Sequence, residues 1–135
     1  MIKLAGCVIT DERGRTLLLH RNNGKHEQWE IPGGKIDKGE TAEQAAAREI
    51  KEELGVDIEI VEKVGDAGFV QGGKKYHYTW FAAKITDGEP KVAEPEVFDG
   101  LKYFSPAEMR EMYEQLSPNT QNFLNLQGGG KFRAV

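Results

Sequence analysis

With a single cysteine, this 135-residue chain cannot form an internal disulfide, and nothing in it requires an oxidising compartment. Cys7 sits in AGCVI, a short strand-like run, and reads as a small core residue rather than a nucleophile. No apolar run approaches the ~18 residues that a membrane span needs. The start, MIKLAGCVITDERGR, lacks a signal-peptide pattern because its apolar run ends in Asp11-Glu12. A cytoplasmic protein is therefore expected. A basic excess is missing too: 18 Lys and Arg stand against 22 Asp and Glu, a net charge of −4. That balance argues against a general nucleic-acid binder but leaves a small phosphorylated ligand open. Repeats, low-complexity tracts and linkers are absent, so residues 1–135 are expected to form one domain, with 127–135 as a tail.

The regions with clear pattern give an order of elements. Residues 4–10 and 16–20 read as two strands joined by the DERGR turn, a hairpin. WEIPGGKIDKGE is an ordered loop with short extended pieces. The clearest helix follows, TAEQAAAREIKEELG, with Thr41 and Gln44 as a capping box and Gly55 as its stop. Residues 56–65 and 76–85 read as strands with a GGKK turn between them, and LKYFS as a shorter strand. Ser105-Pro106 and Ser117-Pro118 each open a further helix. Strands, helix, strands and helices in that order imply a mixed sheet with helices on its faces, an α/β or α+β sandwich.

The central helix carries REIKEELG, which sets three glutamates in six positions. At roughly 100° per residue, Glu49, Glu52 and Glu53 share an arc of about 100°. Beside that arc, Ala46, Ala47, Ile50 and Leu54 form an apolar stripe expected to face a core. Like charges at such spacing cost about 0.2–0.5 kcal/mol per pair. They also face the unfavourable end of the helix dipole. A solvated acidic face is the plain reading. Against it, Ala42 and Ala45 leave the arc uncovered, and the glycine-rich PGGKIDKGE loop can bring backbone close to it. Hard divalent cations take carboxylate and carbonyl oxygens, and Mg²⁺ bridges to substrate phosphates.

Gly34, Glu40, Arg48, Glu49, Ile50, Glu52, Glu53, Gly55 and Val56 fill every position of the pattern G-x5-E-x7-R-E-U-x-E-E-x-G-U, U being aliphatic. Seven fixed residues at roughly one in fifteen each make coincidence a poor account. The segment resembles the Nudix box, and within that family it looks most like the MutT-type nucleoside triphosphate diphosphohydrolases. The resemblance implies a Nudix α/β/α sandwich with a mixed β-sheet and Mg²⁺ or Mn²⁺ as cofactor. It implies hydrolysis of a nucleoside diphosphate linked to a group X, most simply a nucleoside triphosphate giving monophosphate and diphosphate. Glu52 and Glu53 would be metal ligands, Glu49 a further ligand or the general base, and Gly33 a carbonyl ligand. Arg48 and Glu40 would form a structural ion pair holding the loop rather than balancing the acidic charges. A loop acid from EPEVFDG would complete the metal set, Glu96 being chosen over Glu94 and Asp99. Arg21 resembles a phosphate-contacting position and Asn119 a purine-reading one. Phe69, Tyr78 and Trp80 are candidates for base stacking or for core. His20, His26 and His77 show no metal-ligand spacing. The partner implied is a small nucleotide, with a homodimer suggested by the family.

Other substrate classes within the family carry other signals. ADP-ribose enzymes show a proline about fifteen residues past the box, where this chain has Gln71-Gly72. Dinucleoside polyphosphate enzymes show a tyrosine near that place, and Tyr76 and Tyr78 come slightly late. The NADH-type SQPWPFPxS motif is missing. A non-catalytic nucleotide sensor of the same fold is the alternative of another class, and it would tend to lack box glutamates that are all present here.

Overall fold

Alternation along two strands decides the layering. In the strand Ile2–Ile9 (β1), Ala5, Cys7 and Ile9 point to one apolar cluster, while Val8 points to another. The strand Thr16–Asn22 (β2) repeats the device, with Leu17 and Leu19 on one side and Leu18 on the other. Strands buried on both faces must be covered on both faces. The computed structural model, which describes residues 1–22 and 27–128, shows how. His26 and residues 129–135, most of the expected tail, lie outside the described residues.

Two sheets form. One has four strands in the order Gly33–Lys35 (β4), β1, Lys74–Asp87 (β6) and Asp57–Gln71 (β5), with β1 and β6 parallel and the other pairs antiparallel. The second is antiparallel, with Glu27–Glu30 (β3), β2 and Phe98–Phe104 (β7). The helix Ala42–Leu54 (α1) closes one cluster through Ala46, Ile50 and Leu54. The helices Pro106–Glu111 (α2) and Pro118–Gly128 (α3) close the other through Met109, Phe123 and Leu124. The mixed sheet and the sandwich agree with the sequence reading; the separate three-stranded sheet was not anticipated.

Several boundaries differ from expectation for identifiable reasons. β1 and β2 are not a hairpin. They lie in different sheets and meet only at a Thr10–Thr16 bridge, because β1 is drawn into a parallel ladder with β6 from Ile2–Tyr76 to Ile9–Ala83. The Asp11 carboxylate, accepting from the Arg13 and Arg15 backbone N–H groups, makes the corner. The strand expected at 56–65 runs on to Gln71, since Gly72 and Gly73, with φ of 58° and 76°, supply the tight turn that lets β5 and β6 pair to their tips. α2 stops at Glu111 and gives way to a 3₁₀ turn at Tyr113–Gln115. No helix among the described residues is long and apolar enough to cross a membrane.

Both ends of α1 are fixed locally. The Gln44 N–H donates to Thr41 Oγ1 at 3.1 Å, and the Thr41 N–H donates to Gln44 Oε1 at 2.9 Å. Gly55 adopts φ 72° and returns its N–H to the Lys51 carbonyl. Gly55→Ala therefore forces a left-handed backbone onto a residue with a Cβ, an expected loss of about 1–2 kcal/mol. A urea titration would show the midpoint lowered at constant slope; an unchanged midpoint would contradict this account of the helix end.

Candidate active site

α1 delivers its carboxylates onto the backbone of β4. The Gly33 N–H donates to Glu53 Oε1 at 2.9 Å. At Gly34 there is no room for a side chain, because a Cβ would stand 2.5 Å from the Glu49 carboxyl carbon. The Pro-Gly-Gly run thus serves two purposes: it turns the chain, and it leaves the strand bare where two carboxylates settle on it. Burial grades across the three acids. The Glu52 and Glu49 side chains are 47% and 16% exposed, and Glu53 as a residue only 4%. The stripe inferred from the sequence is accordingly rotated: Ala45 and Glu53 are buried, and Ala47 is exposed.

The charges are distributed unevenly. Burial first, then repulsion from Glu49 and Glu30, pushes the Glu53 carboxyl well above the usual carboxylate range. Burial raises Glu49 as well, against the pull of Arg48. Arg48 binds Glu40 through two hydrogen bonds of 2.7 and 3.0 Å, which hold the Glu40 carboxyl below its ordinary range. The same guanidinium donates to the Lys35 carbonyl at 3.0 Å, tying the loop to the helix. Its Nη1 also reaches Glu49 at 3.0 Å and Glu52 at 3.2 Å. The expectation that Arg48 holds the loop instead of balancing the acids is therefore corrected: it does both, with Glu40 as its strongest partner.

A fourth carboxylate comes from the loop before β7. Helix C-termini leave carbonyls without partners, and here the Glu53 and Leu54 carbonyls accept from the Ala93 and Lys91 N–H groups. That docking brings Glu94 beside the site, where burial and the charges of Glu52 and Glu96 raise its carboxyl. Glu96, preferred in the sequence reading, is exposed, and Glu94 is the acid whose charge is felt at Glu49, Glu53 and Arg21.

Next to the carboxylates opens a cavity of about 340 Å³ between the two sheets, its wall including Gly33 and Gly34. Arg21 lines it, but its guanidinium is already engaged by Glu30 at 2.8–3.2 Å and lies over the Phe98 ring at 4.9 Å. Glu30, 7% exposed, also accepts from Gln28. This buried acid was missed in the sequence; a glutamate alternating with Trp29 and Ile31 in an apolar stretch was its only signal. Asn119 lines the cavity too. Ser117, not Asn119, caps α3 by accepting from the Thr120 N–H. Asn119 Oδ1 accepts from the Ser117 and Thr120 hydroxyls, which leaves its amide nitrogen to offer. Phe69 and Tyr76 stack on the β5–β6 hairpin at the cavity edge, centroids 5.0 Å apart. Trp80 belongs to the core.

Among the described residues, no three His, Cys, Asp or Glu side chains converge into a ready-made metal cage. What Glu49, Glu52, Glu53 and Glu94 do offer is hard oxygen donors, with burial and then repulsion raising three of them and Arg48 shared among several partners. In donor chemistry and charge, that set suits a hard divalent cation.

Comparison with known proteins agrees with this geometry. A family model described as "NUDIX domain" matches residues 3–126. The low-salt glycan biosynthesis protein Agl8 of Haloferax volcanii is 32% identical over 124 residues, covering 87% of this chain and 76% of that protein. An 8-oxo-dGTP diphosphatase of Haemophilus influenzae is 43% identical over 58 residues, 42% of this chain and 43% of that protein. The crystal structure of a MutT NUDIX hydrolase from Burkholderia pseudomallei superposes with a TM-score of 0.82 at 29% identity, covering 92% of this chain and 95% of the other.

The raised carboxyls have a consequence with a definite sign. Glu49 and Glu53 hold protons more tightly folded than unfolded, so their contribution to stability is complete below the unfolded value of 4.5 and is lost as pH rises through their folded values. Depressed acids such as Glu40 act the other way, but their contribution is already complete above that value. Thermal melts in a chelator should therefore show stability falling as pH rises above the unfolded value of 4.5, with a flatter slope in Glu53→Gln. A rising melting temperature across that range would contradict it.

Proposed function

The chain belongs to the Nudix family, and on that premise we propose that it hydrolyses a nucleoside triphosphate to the monophosphate and diphosphate with a divalent cation, most simply Mg²⁺. One observation carries the reading: Glu49 and Glu53 rest on the bare backbone of Gly33-Gly34, and those glycines line a cavity large enough for a nucleoside. The 8-oxo-dGTP diphosphatase among the relatives supports a triphosphate substrate.

Each residue has a role in this reading. Glu52, Glu53 and Glu94 hold the cation, with Glu49 beside them and Gly33 as a backbone contributor. When bound, the cation would neutralise phosphate oxygens and lower the barrier to attack by water. Glu49, half-buried and held against Gly34, accepts the proton of the attacking water. Water adds to phosphorus, the phosphoanhydride bond breaks, and diphosphate leaves with that electron pair. Arg48 and Glu40 fix the loop so that β4 stays under the carboxylates. Arg21, committed to Glu30, shapes the cavity floor and keeps a cation near the substrate's phosphates. Asn119 offers its amide nitrogen to an acceptor on the base.

The test is a panel of nucleoside triphosphates, ADP-ribose and diadenosine polyphosphates with Mg²⁺, assayed for product. Triphosphates should be cleaved best. Glu49→Gln should lower kcat by about 10²–10⁴, and Glu53→Gln should abolish Mg²⁺-dependent turnover. Glu94→Gln should raise the Mg²⁺ concentration needed for half-activity, while Glu96→Gln leaves it unchanged. Binding of nucleotide without cleavage of any substrate would replace the enzyme reading with a sensor.

A further inference from the structure

One buried polar group in the cavity wall is used neither by the fold nor by the chemistry above. Tyr78 is 1% exposed, and its ring packs in the apolar layer beside Trp80, centroids 5.5 Å apart. Tyr78 also lines the cavity, and its hydroxyl has no hydrogen-bond partner among the described residues. Leaving a buried hydroxyl unpaired is unfavourable, so such a group is conspicuous unless something pairs with it.

The surroundings are arranged around that hydroxyl. Tyr78 stands on β6 opposite Leu4 of β1, and Gly6 of β1 stands opposite Gly33 of β4. The phenol crosses β1 over Gly6 and ends against Gly33. A Cβ at either glycine would stand 2.0 Å (Gly6) or 2.3 Å (Gly33) from the hydroxyl oxygen. Neither glycine has positive φ, so the missing side chains provide space here, not an unusual backbone. The two nearby carboxyl groups bond elsewhere: Glu53 Oε1 accepts from the Gly33 N–H, and Glu30 from Arg21 and Gln28. Trp80 Nε1 is likewise without a partner among the described residues, but it does not reach the cavity.

We propose that Tyr78 is a substrate-positioning residue whose hydroxyl donates a hydrogen bond to an oxygen of the substrate's phosphate chain. The inference rests on the phosphoanhydride reading of the site. Because the hydroxyl ends at Gly33, one residue from Gly34 and its overlying Glu49, it meets the ligand at the phosphate end and not at the aromatic pair near the cavity edge. It is an uncharged donor on a side chain whose ring is held by core packing.

Tyr78→Phe isolates the hydroxyl, since the ring and its packing stay. Three quantities are read: the melting temperature without ligand, the Kd of an α,β-methylene nucleoside triphosphate with Mg²⁺, and kcat and KM for the cleaved triphosphate. The variant should melt no lower than the parent. Its Kd should rise about ten- to a hundredfold, as expected for losing a hydrogen bond to a charged group, and KM should rise in step while kcat changes less. Inorganic triphosphate, as a competitor, should weaken by a similar factor. A lower melting temperature with unchanged Kd would show a structural hydroxyl and overturn the proposal, as would an unchanged Ki for inorganic triphosphate. If the parent protein neither binds nor cleaves any nucleotide, the underlying reading fails instead.

Discussion

The hydrogen bond from the Gly33 N–H to Glu53 is the contact on which the site depends. It pairs a donor of the sheet with a carboxylate of the helix, and so fixes how α1 sits on β4. Ile50 and Leu54 enter the apolar cluster under the helix, while Glu53, one position before Leu54, is turned toward β4. A helix held only by its apolar face could roll by some degrees without great loss. One held also by a buried hydrogen bond has its orientation specified. The positions of Glu49 and Glu52 then follow from helical geometry.

That arrangement concentrates negative charge, and the fold answers it only in part. Arg48 touches Glu40, Glu49, Glu52, Asp37 and the Lys35 carbonyl. A planar guanidinium can address several acceptors at once, which an ammonium cannot do with the same geometry. Burial first, and repulsion among the acids after it, still leaves the carboxyls of Glu49, Glu53 and Glu94 raised. Residual charge of that kind suits the cation proposed for the site. Strain of this kind at a site is what consistency elsewhere in a fold can sustain.

The parts legible in the sequence were those set by local rules. Thr41, Gln44 and Gly55 bracket α1 through contacts within a turn or two, and the structure has those caps in place. The spacing of Glu49, Glu52 and Glu53 likewise needs only helical geometry. Pairing between distant strands was less legible. LAGCVIT and TLLLH are adjacent and both strand-like, so a hairpin was the economical expectation; nothing local says that β1 pairs with β6 about seventy residues on. Glu94 was named but passed over in favour of Glu96 for a similar reason. Glu94 and Glu96 share one acidic loop, and only the docking of Ala93 and Lys91 on the end of α1 decides which of them faces inward. Glu30 and Tyr78 look like ordinary strand residues until the two sheets bring them to one cavity.

The glycines show why box and cavity differ in readability. Gly55 and Gly72 are needed for positive φ, a property of the chain itself. Gly6, Gly33 and Gly34 have no such requirement and are bare because something else occupies the space: the Tyr78 hydroxyl at the first two, the Glu49 carboxyl at the third. A glycine of this second kind has meaning only with its occupant, and Gly6 and Tyr78 are far apart in sequence. The carboxylate cluster is written in one helix and the loop before it, whereas the cavity beside it depends on how β1, β4 and β6 are brought side by side.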